Sequence, residues 1–399
     1  MLPATIENVE YLLMGYGISS RYNVIRKKLS ITSSAWTSSP DNADEVAMIN
    51  VVSLANLNCI PRNDVERLVL AVGEKNLYNP VEEWITSKPW DGIDRLPDIY
   101  ATLTEAEGYP AELKKTLMRK WLLSGVAAAM MPKGFRCRGV LTLQGPQRIG
   151  KTTWVSSLVP DETLRFAVIK IDHQLDAGNK DSILGACSHW ICEIGELESS
   201  MKREVARLKG VLTRDSDKVR KPYGHTESEM PRRTIFIATV NQANFLVDDT
   251  GNSRWWVIPV TAVDCEHGIQ MQQLFAQLAM DLEAGAEWWL TSEEEAQLAE
   301  QHRPHRTISA IEDQLLEVFD LDRIGQSDLP AMTARELLVF LGISIPVNPQ
   351  CKECAGILRT YLGDPKRING RDKWRIPLER KEHDRWKSAH RPRGADKYD

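Results

Sequence analysis

The chain has 399 residues, 42% of them hydrophobic and 26% charged, with a formal net charge of −5. That make-up suits an ordinary soluble protein of two or three domains and excludes a globally basic nucleic-acid binder. No run of eighteen apolar residues occurs, and Met1 to Val9 lacks the basic-then-apolar profile of a secretory signal, so the expectation is a cytoplasmic protein with no membrane partner.

Residues 1–78 mix short helical patterns with a Ser/Thr/Pro-rich stretch from Ile31 to Asp41 and carry no catalytic cluster; they read as an accessory amino-terminal domain. Residues 79–135 form a helical lead-in. Val81, Trp84 and Ile85 fall at helical spacing, Lys88-Pro89-Trp90-Asp91-Gly92 turns the chain, and a long helix pattern runs from Ala111 to Met131 until Pro132-Lys133-Gly134 stops it.

From residue 136 to residue 262 short apolar runs alternate with helical stretches, the pattern of an α/β sheet with crossover connections. Strands are expected at Val140–Leu143, Phe166–Ile169, His189–Cys192, Thr234–Thr239 and Trp255–Val260. Helical periodicity returns over residues 263–330, through Ile269 to Leu282 and past the acidic run Glu293–Glu295. Residues 331–399 close the chain with helices at Thr333–Leu341 and Cys351–Leu362, then a two-stranded wing over Arg367–Pro377 around Asn369-Gly370, and a basic polar tail. Two helices followed by a wing suggest a winged helix-turn-helix.

The seven cysteines are scattered, and only Cys351 and Cys354 form a CxxC pair. One pair fills half a tetrahedral zinc site and no second pair lies nearby, so both read as positions on a helix.

Gly145-Pro146-Gln147-Arg148-Ile149-Gly150-Lys151-Thr152 fits the phosphate-loop pattern G-x-x-x-x-G-K-[ST], between an expected strand and an expected helix. Its glycines let the backbone N–H groups curl toward phosphates, and the helix that follows presents its amino terminus. The nucleotide is expected to be ATP with Mg²⁺, held by Gly145, Gln147, Arg148, Ile149, Gly150, Lys151, Thr152 and Thr153. Lys151 is the group for the β- and γ-phosphates and Thr152 for the metal. The strand ending in Glu193, with Glu196 three residues on, supplies carboxylates; one would help hold Mg²⁺ and the other orient the attacking water. Asn241, at the end of another strand, would position that water if its strand neighbours the first. Arg254 sits at a turn, suited to reach a neighbouring subunit as an arginine finger.

Lys218, Arg220, Lys221, Tyr223 and His225 mix basic and aromatic groups around Gly224. They fit contact with a single DNA strand by phosphate pairing and stacking. The bland alternative is a charged surface hairpin.

These motifs occur in an order that runs from Asn79-Pro80-Val81 and Trp90-Asp91-Gly92 through the 145–152 loop, Lys180-Asp181, Trp190 to Leu197 and Asp217 to Tyr223. They continue to Pro231-Arg232-Arg233, Asn241 and Asp249-Thr250-Gly251-Asn252-Ser253-Arg254-Trp255. In this the chain resembles the virulence-associated protein E family of phage and prophage P-loop proteins, relatives of superfamily 3 replicative helicases. The resemblance implies an AAA+-type core, a hexameric ring in a bacterial host's cytoplasm, and a hairpin gripping DNA in a central channel. It puts Glu193 and Glu196 on the acidic motif, Asn241 on the sensor and Arg254 on the finger. Glu193 is followed by Ile194-Gly195-Glu196 rather than by a second acid, which leaves the division of labour between the glutamates open. No polymerase-like acidic centre precedes Asn79, so a primase would be a separate protein. A DNA-binding initiator controlled by nucleotide, or a small-molecule kinase, would share the loop.

Overall fold

The computed structural model describes residues 2–36, 42–131, 133–176, 178–195, 210, 212, 216–219, 228–241, 252–302, 310–326 and 328–389. The chain divides into two compact units, Met1–Arg306 and Thr307–Asp399. No helix among the described residues is long and apolar enough to cross a membrane.

The first unit opens with α1 (Ile6–Gly15), an antiparallel hairpin of β1 (Ile18–Asn23) and β2 (Lys28–Ser33), then α2 (Ala43–Leu57), α3 (Val65–Lys75) and β3 (Leu77–Tyr78), which pairs with β1. Val9, Leu12, Leu13, Val51, Val65 and Val69 close a small core between helices and hairpin. Sequence periodicity showed only the helices. The hairpin stayed hidden because β1 reads Ile-Ser-Ser-Arg-Tyr-Asn, whose polar Ser20 is buried by a hydrogen bond to the Val69 carbonyl (3.2 Å) rather than marked by an apolar side chain.

Next come α4 (Pro80–Ile85), α5 (Leu96–Ala101), β4 (Leu103–Glu105) and α6 (Ala111–Met130), which ends where Pro132-Lys133-Gly134 predicted. Asn79 starts α4 by accepting the amides of Val81 and Glu82, as a side-chain cap does. Helix α6 is buried nearly all round, from Leu113 to Ala129. Such a helix is a core element, each large apolar side chain removed from water contributing about 1.5–3 kcal/mol before entropy is counted. Its Trp121 indole donates to the Phe236 carbonyl (2.7 Å), and the Trp190 indole donates to the Gly125 carbonyl (2.8 Å).

The central sheet is built from β4, β5 (Val140–Gln144), β6 (Ile169–His173), β7 (Ile191–Ile194), β10 (Ile235–Val240) and β11 (Trp255–Val263); β8 (Ser216–Val219) and β9 (Ser228–Pro231) form a separate antiparallel pair. Its order is β4-β11-β5-β10-β7-β6, with five parallel strands and β4 antiparallel at one edge. Between strands run α7 (Lys151–Ser157), α8 (Glu162–Val168) and α9 (Lys180–Cys187). This is the mixed α/β class that the alternating pattern implied. Parallel strands covered on both faces read as unbroken apolar runs, and Ile191-Cys192 and Ile235-Phe236-Ile237-Ala238 are fully buried.

One expected strand is corrected. Residues 166–168 are the last turn of α8, and the strand begins only at Ile169. Asp161 caps α8 through the Leu164 amide (2.6 Å), and Phe166, which looked like a strand residue, is 79% exposed on the helix.

After β11 the unit finishes with α10 (Met271–Glu283) and α11 (Ser292–His302), which starts at the acidic run. The second unit contains α12 (Ala310–Val318), β12 (Ala331–Met332), α13 (Ala334–Phe340), α14 (Asn348–Leu362), β13 (Lys366–Ile368), β14 (Arg371–Arg375) and α15 (Arg380–Ala389). Its sheet runs β12-β14-β13, and Asn369 and Gly370 both take positive φ (52° and 76°) in the tight turn their sequence signalled. Leu315, Leu337, Leu338, Leu358 and Trp374 form its own core. Both CxxC residues lie on α14, and burial pushes the Cys354 thiol up to about 12.

Candidate functional site

The segment from Gly145 to Thr152 turns β5 into α7 at the carboxyl edge of the sheet. The Gly145 amide donates to the Val240 carbonyl (3.0 Å), tying the start of the turn to β10. At the other end Gly150 takes φ +96°, a left-handed conformation that costs a glycine little. Arg148 is also left-handed, at φ 66°. The glycines answer a lack of room as well. A Cβ on Gly145 would come 2.2 Å from the Val260 carbonyl oxygen, and one on Gly150 would come 3.2 Å from Cys265 Sγ.

Lys151 folds back over this turn. Its ammonium donates to the carbonyls of Gly145 and Pro146, both at 2.7 Å, and to Asn241 Oδ1 at 3.1 Å. Burial holds its pKa below the ordinary lysine value, and the Glu193 carboxylate pulls the other way. Asn241 reaches it because β10 pairs directly with β5, the adjacency on which the Asn241 expectation depended.

Thr152 and Glu193 meet although their elements are far apart in sequence. Thr152 Oγ1 donates to Glu193 Oε1 at 2.7 Å, Thr239 Oγ1 donates to the same oxygen at 2.9 Å, and the Asp172 amide donates to Oε2 at 3.2 Å. Glu193 is 1% exposed, so these donors are what makes a buried carboxylate tolerable. The strand β10 lies between β5 and β7, and its Thr239 bridges the gap. Sequence reading passed over Thr239. The available signal was the two-residue alternation that puts Thr239 on the same face as Asn241.

The remaining loop residues are more open: Gln147, Arg148 and Thr153 are exposed, while Ile149 is half-buried. Glu196 lies outside the described residues, so the open question of which glutamate does which task has only Glu193 placed. Among the described residues no group of three or more His, Cys, Asp or Glu side chains forms a metal cluster. The donor set that is present, one buried carboxylate with two threonine hydroxyls, fits a hard cation that takes its other ligands from water and substrate phosphate.

Arg254 stands elsewhere. It ends a short helical turn, Asn252–Arg254, immediately before β11, and Trp255 pairs with Val140, the first residue of β5. It therefore occupies the amino edge of the sheet, with β5 between it and the 145–152 turn. At ~3.3 Å per residue, β5 alone separates the two edges by roughly 13 Å.

Of the expected nucleic-acid residues, Lys218 lies on β8, where its backbone pairs with Glu229 of β9. Arg220, Lys221, Tyr223 and His225 lie outside the described residues. The described residues show β8 and β9 as an antiparallel pair.

Comparison with curated sequences finds no match. Two solved structures of the NrS-1 C-terminal region align with 94% of this chain and 100% of theirs. One, an A-form apo structure, shows 12% identity and a TM-score of 0.44, and another apo structure shows 15% and 0.40. A family model does match, over residues 85–307, more than half the chain and the stretch that holds every element of the site: the chain belongs to the virulence-associated protein E-like domain family.

Proposed function

We propose that this protein is an ATP- and Mg²⁺-dependent DNA motor, a phage or prophage replicative helicase built on an AAA+-like P-loop core and working as a ring, with hexamer the expected size. One observation carries the reading. Lys151 and Thr152, adjacent in sequence, are gathered with Glu193 and Asn241 from two other strands at one sheet edge, through the contacts at 2.7 and 3.1 Å.

In this reading Lys151 leaves its loop carbonyls for the β- and γ-phosphates, and the loop amides cradle them. Thr152 and Glu193 would hold Mg²⁺, which supplies charge neutralisation at the phosphates when bound. The attacking water forms a bond to the γ-phosphorus while the bond from that phosphorus to the β–γ bridging oxygen breaks. Its proton passes to a carboxylate and then to solvent, leaving ADP and phosphate. Asn241 orients the water by its side-chain amide. Arg254 cannot reach the loop of its own chain past β5, which supports its role as a finger for a neighbouring copy. Lys218 and its hairpin companions Arg220, Lys221, Tyr223 and His225 would follow a single DNA strand.

The test is strand displacement on forked DNA with purified protein and ATP. Unwinding that requires ATP and disappears in Lys151→Ala supports the motor; full unwinding by Lys151→Ala sinks it. A second reading has its own observation. The order α12, β12, α13, α14, β13, β14, with β12 on β14, supports reading the second unit as a winged helix, and its β13–β14 hairpin carries exposed Lys366, Arg367 and Arg371. In that reading the protein is a nucleotide-regulated initiator or assembly factor, which footprinting on origin DNA would reveal as site-specific binding without unwinding.

A further inference from the structure

Asp172 brings a second carboxylate to Glu193 that no sequence motif announces. Strands β6 and β7 pair in parallel as Ile169 with Ile191 and Lys170 with Cys192, then resume as His173 with Ile194, so residues 171 and 172 face Glu193 alone. This is a bulge, which re-aims the chain where it occurs, and bulges gather next to active sites. Within it Asp172 takes φ 51°, a left-handed conformation that strains a side chain and that aspartate accepts more readily than most. Strain held at one position points to function. The amide of this strained residue donates to Glu193 Oε2 at 3.2 Å.

The Asp172 side chain goes to the same place. A Cβ on Gly195 would overlap Asp172 Oδ1, so the carboxylate fills the space that a side chain at 195 would take. The Gly195 amide still donates to the His173 carbonyl (3.2 Å), which continues the ladder one residue past β7. Residues 193 and 195 therefore address one face of the sheet, the face on which Glu193 meets Thr152. Asp172 places its carboxylate on that face, roughly 7 Å further toward the carboxyl edge. The two acids differ in what they have left to offer. Glu193 is 1% exposed and holds donors on both oxygens, from Thr152, Thr239 and the Asp172 amide. Asp172 is exposed, and among the described residues nothing donates to its carboxylate. Of the pair, it is the one with lone pairs open to a water molecule.

We propose that Asp172 is a catalytic residue of the nucleotide site, its carboxylate accepting a hydrogen bond from the water that attacks the γ-phosphorus while Glu193 stays with Thr152. This rests on the ATPase reading above, and it gives the water-orienting task, open between Glu193 and Glu196 in the sequence, to a third residue. The water oxygen bonds to phosphorus as the bond from phosphorus to the bridging oxygen breaks. The proton leaves along the hydrogen bond to the exposed carboxylate and passes to solvent, with ADP and phosphate as products.

Two substitutions separate the carboxylate from the backbone that carries it. Asp172→Gly keeps the amide on Glu193 and suits the left-handed φ, so the bulge survives without the acid. Asp172→Asn keeps the shape and the tolerance of that φ and removes the charge. Each is compared with wild type in steady-state ATP turnover and, apart from turnover, in calorimetric binding of ADP with Mg²⁺. Both variants should lose ~100-fold or more in kcat, with KM and ADP affinity unchanged. Unchanged ADP binding also shows that the variants are folded. Wild-type kcat in Asp172→Gly overturns the proposal and leaves Asp172 a backbone role only. So does a loss of ADP affinity in step with kcat in both variants, the mark of a damaged site rather than a missing catalytic group. Full turnover by Asp172→Asn alongside an inactive Glu196→Gln likewise overturns it and returns the task to Glu196. Wild-type protein without ATPase activity would remove the ATPase reading itself, and this is seen before any variant is assayed.

Discussion

Replacing Gly150 by alanine separates two penalties that the structure places on the same residue. The first is conformational. Alanine at φ +96° costs about 1–2 kcal/mol, partly offset by ~0.5 kcal/mol from a less flexible unfolded chain. The second is steric. The new methyl would stand 3.2 Å from Cys265 Sγ, so the thiol must shift by tenths of an ångström, at a cost on the order of 1 kcal/mol. Gly285 supplies the control, because it has φ +91° in the same unit and nothing within 4 Å of its virtual Cβ. In urea denaturation, Gly285→Ala should lose roughly 1 kcal/mol and Gly150→Ala roughly 2 kcal/mol. Cys265→Ala should return the difference as a coupling of about 1 kcal/mol in the double-mutant cycle. Gly145→Ala has no such remedy. Its methyl would meet a backbone oxygen at 2.2 Å, and a loss on the order of 3 kcal/mol is expected. A Gly145→Ala protein as stable as Gly285→Ala would show that the turn is not packed against Val260 as described.

Three further outcomes follow from the site and its supports. Thr239→Val removes one of the three donors to the buried Glu193 carboxylate and should cost about 1.5–3 kcal/mol by urea denaturation, with ATP turnover falling as well; unchanged stability would show that the bridge is not formed. Because burial lowers the Lys151 pKa below 10.5, ATP affinity should fall as pH rises through the window beneath 10.5, phosphate preferring the ammonium form. The same titration with Lys151→Ala should be flat, and a wild-type curve equally flat would refute the assignment. Burial pulls His189 down to about 4 from 6.5, against the opposing hydrogen bond to the Gly185 carbonyl. Between those values the unfolded chain takes up a proton that the folded chain refuses, so stability falls with pH from 6.5 and the loss saturates near 3 kcal/mol around pH 4. Urea midpoints at pH 7.5 and 4.5 should therefore converge in His189→Gln relative to wild type; equal acid sensitivity in both proteins would rule this group out.

The parts legible in the sequence are those fixed by local chemistry. The 145–152 motif located the turn between β5 and α7, apolar runs located β7, β10 and β11 within a few residues, and Asn369-Gly370 located the turn between β13 and β14. What stayed hidden depended on long-range pairing. Phe166 was assigned to a strand because an apolar run does not announce its period, and the Asp161 cap decided for helix. The bridging of Thr152 to Glu193 by Thr239 needed β10 between β5 and β7, an order that spacing does not carry.

The position of the Lys151 ammonium bears on selectivity. It has three oxygen partners, two carbonyls and an amide. An arriving anion gains from that cation only what exceeds the bonds it displaces, so a single orthophosphate exchanges like for like. A polyphosphate tail, with oxygens enough to satisfy the ammonium and the loop amides together, comes out ahead. If the loop binds phosphates as proposed, a site of this construction discriminates by the number of phosphates a ligand presents, before any contact with its base or sugar.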